Sequence, residues 1–208
     1  MITLGLIIAV DDLHYLDQWL DNHNQIGDEI LIWIDYQGHP EDVLDENFQE
    51  KYKELLNGHM RVMSHALNND FAAQRNNVLE MATNPWVLMV DSDEIIPPDF
   101  QRTLPEIVKY AEENGCEAIG FPRYNVFHGK IDAYPDHQFR LMRNTVRYVN
   151  NTPYRGASPG CHETPDSRSS AVVNYHILHI HDNGGGSFRL KGYTNDDQQY
   201  YKNPQKPS

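Results

Sequence analysis

The chain of 208 residues carries 17 lysines and arginines against 30 aspartates and glutamates, a formal charge of −13, and a surface this negative repels phosphate backbones and acidic membranes unless its cations are segregated. No Lys/Arg run of that kind occurs, so nucleic acid is not an expected partner, and the length suits one compact unit with a single buried core. The two cysteines, Cys116 and Cys161, stand far apart and form no CxxC; they are too few for a disulfide framework or a structural zinc site and fit a reducing compartment.

The first apolar run, residues 4–10, is too short to span a membrane and meets Asp11-Asp12 without the basic flank of a signal peptide, which reads as a mature cytoplasmic chain with no integral membrane segment. Residues 3–10 form the first strand expected, and Asp11 or Asp12 caps a helix in which Leu13, Leu16, Trp19 and Leu20 recur at helical spacing, ending near Gly27. A second strand at 29–34 runs into Asp35 and the turn-rich segment 36–40, followed by a helix over roughly 43–56 and a third strand at 60–64. Asn69 or Asp70 then caps a helix carrying Ala72, Ala73, Val78, Leu79 and Ala82, and residues 86–90 make a buried fourth strand. Such alternation of β and α predicts an α/β fold with a largely parallel sheet.

Beyond a helix over 99–114 the pattern changes to strands at 119–127, 138–142 and 172–180 between loops rich in Gly, Pro and Asn, with Gly184-Gly185-Gly186 as a hinge or close-approach point and a closing helix at 187–201. Trp19, Trp33, Trp86 and the tyrosines read as packing rather than as a sugar-stacking platform.

The chemistry-bearing motif is Asp91-Ser92-Asp93, delivered by a buried strand to its C-terminal edge, where open α/β sheets bind ligands. Residues at i and i+2 of an extended chain face the same side, so Asp91 and Asp93 are expected to converge on one hard cation, Mn²⁺ or Mg²⁺, leaving positions for diphosphate oxygens. Such an ion offsets the charge that builds on a departing diphosphate. The same three residues also suit a helix cap.

At this point the sequence resembles the family 2 glycosyltransferases. Residues 10–20, Val-Asp-Asp-Leu-His-Tyr-Leu-Asp-Gln-Trp-Leu, are similar to that family's opening segment, with Asp11-Asp12 in place of its Asn-Glu pair. Phe71-Ala72-Ala73-Gln74-Arg75-Asn76 followed by residues 86–94 resembles its central signature, and Gln138 to Arg143, Cys161-His162-Glu163 and Ile177-Leu178-His179 resemble its downstream segments in order and spacing. The resemblance implies a Rossmann-like GT-A domain over 1–203, with a nucleotide-binding half at 1–113, an acceptor-side half at 114–203, helices on both faces of the sheet and a flexible tail at 204–208. It implies inverting transfer from a nucleotide-diphosphate sugar, UDP-sugar by default, to a hydroxyl acceptor on a glycan, a lipid-linked sugar or a protein. Val10, Asp12 and Asp35 would surround base and ribose, Arg75 would lie near the donor, and Asp91, Ser92 and Asp93 would serve the ribose-diphosphate and the metal.

Inverting transfer requires a base within hydrogen-bond reach of the acceptor hydroxyl. Glu163 matches the family's His-Glu pattern, with Asp136 as the fallback. His179 and His181 alternate along a strand and share a face, so either could add a nitrogen ligand to the metal. Lys191, after the glycine run, could close over phosphates, and Arg140 and Arg143 cannot both face the core, which leaves at least one to address an anion. Two rivals stand beside this reading: a haloacid-dehalogenase-type phosphatase with Asp91 as nucleophile, and a degenerate nucleotide-sugar binder, which the Asp11-Asp12 substitution suggests.

Overall fold

The computed structural model describes residues 1–35, 44–64, 70–127, 129–131, 135–150 and 163–181. The turn at 36–40, Cys161-His162, the glycine run, the helix expected at 187–201 and the tail lie outside the described residues. The N-terminal half is built on four parallel strands, β1 (Ile2–Ala9), β2 (Glu29–Asp35), β3 (Met60–Ser64) and β4 (Trp86–Met89), in the order β3-β2-β1-β4. β2 and β4 are buried at every position, as strands with a helical layer on each face must be.

Both layers are present. On one face Leu4, Leu6, Ile8, Ile30, Ile32 and Ile34 pack with Leu16, Trp19 and Leu20 of α1 (Leu16–His23), and with α5 (Pro98–Glu113) through Phe100, Leu104 and Ile107. On the other, Leu31, Trp33, Val87 and Met89 pack with Ala72, Val78 and Leu79 of α4 (Phe71–Met81). Each such side chain, fully buried, contributes roughly 1.5–3 kcal/mol. All three tryptophans are buried, in keeping with a packing role. Gly5 lets α4 lie close to β1: a Cβ there would stand 2.8 Å from Val78 Cγ1 and 2.6 Å from Met89 Sδ.

The C-terminal half supplies β5 (Glu94–Ile95), β6 (Ala118–Phe127), β7 (Lys130–Ile131), β8 (Asp136–Arg143), β9 (Arg147–Asn150), β10 (Glu163–Asp166), β11 (Ser170–Val172) and β12 (Ile177–His181). The main sheet continues from β4 through antiparallel β8 to β6, β12 and β5, while β9 and β10 form a separate hairpin-like pair. The α/β expectation, with parallel strands at its centre and helices on both faces, therefore holds, in a mixed sheet.

Four local expectations give way. Neither Asp11 nor Asp12 caps a helix through its side chain; Val10–Tyr15 is a 3₁₀ segment entered from Ala9, and α1 stops at His23, four residues short of Gly27. The helix expected at 43–56 divides into α2 (Glu46–Lys51) and α3 (Lys53–Asn57), because buried Tyr52 leaves helical geometry at φ −105° and donates its hydroxyl to Asp17 of α1 at 2.8 Å. The strand expected at 172–180 is two: Val172 pairs with Gly120 and Ile177 with Arg123, so the chain carries extra residues between two contacts with β6. Finally, the short strands β5, β7, β9 and β10 have no continuous apolar run to announce them.

Candidate active site

In the order β3-β2-β1-β4 the chain winds one way from β1 to β3 and then returns to the other side with β4, so the switch point at which sheets of this kind bind ligands lies at the C-terminal ends of β1 and β4. Several expected site residues lie there. Asp35, 5% exposed, pairs in register with Ala9, which puts it beside Val10; half-buried Asp12 follows in the 3₁₀ segment. On the neighbouring strand Val90 N–H donates to Gly5 C=O at 2.9 Å, and the chain then enters the acidic turn.

That turn is not extended. Glu94 N–H donates to Asp91 C=O at 3.0 Å, closing a tight turn over Asp91–Glu94, and Asp91 N–H donates to Glu94 Oε2 at 3.1 Å. The side-by-side convergence of Asp91 and Asp93, which assumed extended backbone, is therefore replaced by divergence, with each carboxylate meeting different partners. Asp91 accepts from Arg75 Nη2 of α4 at 2.9 Å through Oδ1, and from Arg140 Nη2 of β8 through Oδ2. Arg140 also pairs with Glu94, which Arg123 approaches at 3.6 Å. Arg75, Arg140 and Glu94 are all nearly inaccessible to solvent, so the cluster exists only because its charges compensate one another.

Electrostatics follow the geometry. Burial alone would raise the Asp91 carboxyl, but the charges of Arg140 and then Arg75 outweigh it and hold that carboxyl well below the usual range. Burial pushes the Glu94 carboxyl up; Arg140 opposes the rise and the negative charge of Asp91 adds to it. Arg143, by contrast, turns to the other face, its guanidinium 4.6 Å above the Trp86 ring and 3.5 Å from Glu112. The two arginines do not both face the core, as expected: Arg140 is buried against Asp91 and Glu94, and Arg143 lies partly exposed beside Glu112.

Asp93, exposed on the outer side of the turn, meets His179 of β12: Asp93 Oδ2 lies 3.0 Å from His179 Nε2, and His179 Nδ1 lies 2.9 Å from Asn125 Oδ1 of β6. Backbone pairing brings them together, since His179 is in register with Glu94 on one side and with Asn125 on the other. Nε2–H can donate to the Asp93 carboxylate, or, with the ring proton on Nδ1 facing Asn125, the Nε2 lone pair and the carboxylate can share a cation. A carboxylate oxygen and an imidazole nitrogen at one point are a donor set that Mn²⁺ or Mg²⁺ accepts. Among the described residues no three His, Cys, Asp or Glu side chains gather in a metal-holding group, so the pair could be only part of a coordination shell.

In the C-terminal half, Asp136 of β8 is held by Arg123, whose Nε and Nη2 donate at 3.1 and 2.7 Å, and by Gln138. Burial would raise its carboxyl; these donors outweigh it and lower it, making Asp136 a weak proton acceptor. Glu163 opens β10, its backbone opposite Asn150 of β9. The Asn150 side chain donates to Asp70 at the start of α4 at 3.0 Å, which ties this strand pair to the helix bearing Arg75. The side chains of Glu163 and His181, and all of Lys191, lie outside the described residues. Sequence reasoning gave no role to Asn76, Glu94, Arg123 or Asn125. Asn76 and Glu94 stood inside quoted motifs, whereas Arg123 and Asn125 carried no signal until strand pairing was known.

Among the described residues no helix is long and apolar enough to cross a membrane. The glycosyltransferase SunS of Bacillus subtilis (strain 168) and its counterpart from Bacillus phage SPbeta are each 22% identical to this chain over 116 residues, which is 53% of the chain. The chain spans only 25% of the length of these curated relatives. Among solved structures, TarS 1–349 of S. aureus in complex with UDP-GlcNAc superposes with a TM-score of 0.58 at 13% identity, covering 89% of this chain and 60% of that one. A second TarS 1–349 structure gives 0.54 at the same identity, covering 86% and 60%. These likenesses show the fold, the GT-A architecture that the sequence resemblance implied. Glycosyl transferase family 2 matches residues 18–177, a stretch that contains the acidic turn and the arginine cluster and ends at the first residue of β12. Carrying that match over well more than half its length, on the fold just described, the chain belongs to glycosyl transferase family 2.

Proposed function

We propose that this chain moves a sugar from a UDP-sugar to a hydroxyl acceptor, with inversion at the anomeric carbon and with the help of a divalent cation. The observation that carries the reading is the meeting of Asp93 and His179, 86 positions apart in sequence, where the turn that follows β4 meets β12. The UDP-GlcNAc in the TarS structure supports the choice of donor class. Asp35, Val10 and Asp12 line the base and ribose end. Arg75 and Arg140 compensate Asp91 and Glu94, so that no net negative charge stands behind the diphosphate, while Asp93 and His179 would hold the ion. A bound divalent cation draws charge from the leaving diphosphate. The acceptor oxygen attacks the anomeric carbon as the bond from that carbon to the diphosphate oxygen breaks. The bonding pair leaves with UDP, and the hydroxyl proton passes to the carboxylate of Glu163. Asp136, occupied by Arg123, is the poorer base of the two.

The test is a panel of UDP-Glc, UDP-Gal, UDP-GlcNAc and UDP-GalNAc with Mn²⁺ or Mg²⁺, read by thermal shift and by UDP release without acceptor. A stabilisation and a UDP release that both require the cation are expected, and Asp93→Asn and His179→Ala should each lower turnover by about 10²-fold or more. Undiminished turnover in Asp93→Asn, or no response to any of the four donors, would overturn the reading.

A further inference from the structure

The β9–β10 pair shares no backbone ladder with the main sheet among the described residues, yet it carries the strand that begins with Glu163. The Tyr148 hydroxyl donates to Phe139 C=O of β8 at 3.2 Å, and the main seat of the pair is α4. The Asn76 side chain grips the backbone of Tyr148 at both ends of its amide: Nδ2 donates to Tyr148 C=O at 3.0 Å, and Oδ1 accepts from Tyr148 N–H at 2.7 Å. Asn150 to Asp70 adds a second tie at the start of the helix, and the Arg75 guanidinium lies 5.5 Å over the Tyr148 ring. A bidentate amide grip on main chain fixes position along β9 as well as distance, because a slip by one residue turns the bonding groups away. From β9 the register passes to β10 through Val149 and Thr164, and Asn150 and Glu163. On the opposite end of this short path, the residue before Asn76 is Arg75, bonded to Asp91.

We infer that Asn76 is a positioning residue: it sets the strand bearing Glu163 at a fixed distance from the turn that holds the donor. The inference rests on the reading of Glu163 as the base. Asn76 touches no reacting atom, and its effect passes entirely through Glu163. Its loss should therefore act on the chemical step and leave donor affinity alone, and it should cost nothing once the base is already gone.

The experiment is a double-mutant cycle on the full chain, with Asn76→Ala, Glu163→Gln and the double variant. It is read by UDP release from UDP-Glc, UDP-Gal, UDP-GlcNAc and UDP-GalNAc with Mn²⁺ and by UDP affinity in calorimetry. Asn76→Ala should lower kcat by about 10²-fold, the scale of a small misplacement of a reacting group, with donor KM and UDP affinity within about threefold. Asn76→Asp keeps the acceptor for Tyr148 N–H but loses the donor, and should fall between wild type and Asn76→Ala; it carries the same cycle if the alanine variant does not fold. The double variant should be no slower than Glu163→Gln. An equal fractional loss in both backgrounds, an unchanged kcat, or a loss confined to KM overturns the inference. A Glu163→Gln enzyme of wild-type kcat removes the base assignment and the inference with it. Wild-type protein that releases UDP from none of the four donors marks the failure of the proposed function itself.

Discussion

Arg140 is the residue on which the site's charge balance turns. One guanidinium, 4% exposed, faces two carboxylates, those of Asp91 and Glu94, and Glu94 is 1% exposed. Removing a buried partner leaves uncompensated charge, which costs far more than the intact pair contributes. Arg140→Ala should therefore destabilise the protein by about 3–5 kcal/mol in urea unfolding, while Arg140→Lys, which keeps the charge but loses the fork, should lose less. Only part of this was legible beforehand. The sequence shows Asp91, Asp93, Arg75 and His179 because each sits in a motif or at a strand end, and the alternation of Arg140 and Arg143 shows that one must turn inward. The pairing of Arg140 with Glu94 joins segments 46 residues apart on strands that are not neighbours in the sheet, and that of His179 with Asn125 follows from the register of β12 on β6 over 54 residues; no local pattern encodes either.

Among the elements, β1 and α4 lie close together, and Gly5 permits it. Gly5→Ala places a methyl against a branched side chain fixed on a helix, so the helix or the strand must shift. A loss of about 1–3 kcal/mol is expected, measurable as a fall in Tm, and Val78→Ala in the same chain should restore part of it. The N-terminal elements were readable because each strand there is a continuous apolar run and the helices between them carry apolar stripes. Asp70 accepts from Ala73 N–H at 2.9 Å, the cap expected for α4. In the C-terminal half the strands are short and several lie at edges with one face exposed, so β9 and β10 read as loop. The break between β11 and β12 escaped notice because Val172, Val173 and Tyr175 suit a strand on composition alone.

For the molecule as a whole, acid sensitivity has one clear source in His23. Its ring is fully buried, Nδ1–H donates to Trp19 C=O at 2.8 Å, and Nε2 accepts from Ile96 N–H at 3.2 Å, so the neutral form fits and the cation does not. Burial lowers the imidazole from 6.5 to about 4. Below pH 6.5 the unfolded chain takes up a proton that the folded chain refuses, so the stabilisation is complete above 6.5 and is lost as pH falls towards 4, on the order of 3 kcal/mol in all. Wild type minus His23→Gln, in Tm or unfolding free energy across that window, should show the slope. Only four residues link Met89 of β4 to Glu94 of β5, the two ends of the strand run β4-β8-β6-β12-β5, and within them Asp93 C=O accepts from Ile180 N–H at 2.8 Å. So short a link, bent by a tight turn, curls that run back towards its own beginning and joins its two ends covalently. Parting them would require peeling β12 from β5, so this edge of the sheet opens only with the loss of backbone pairing.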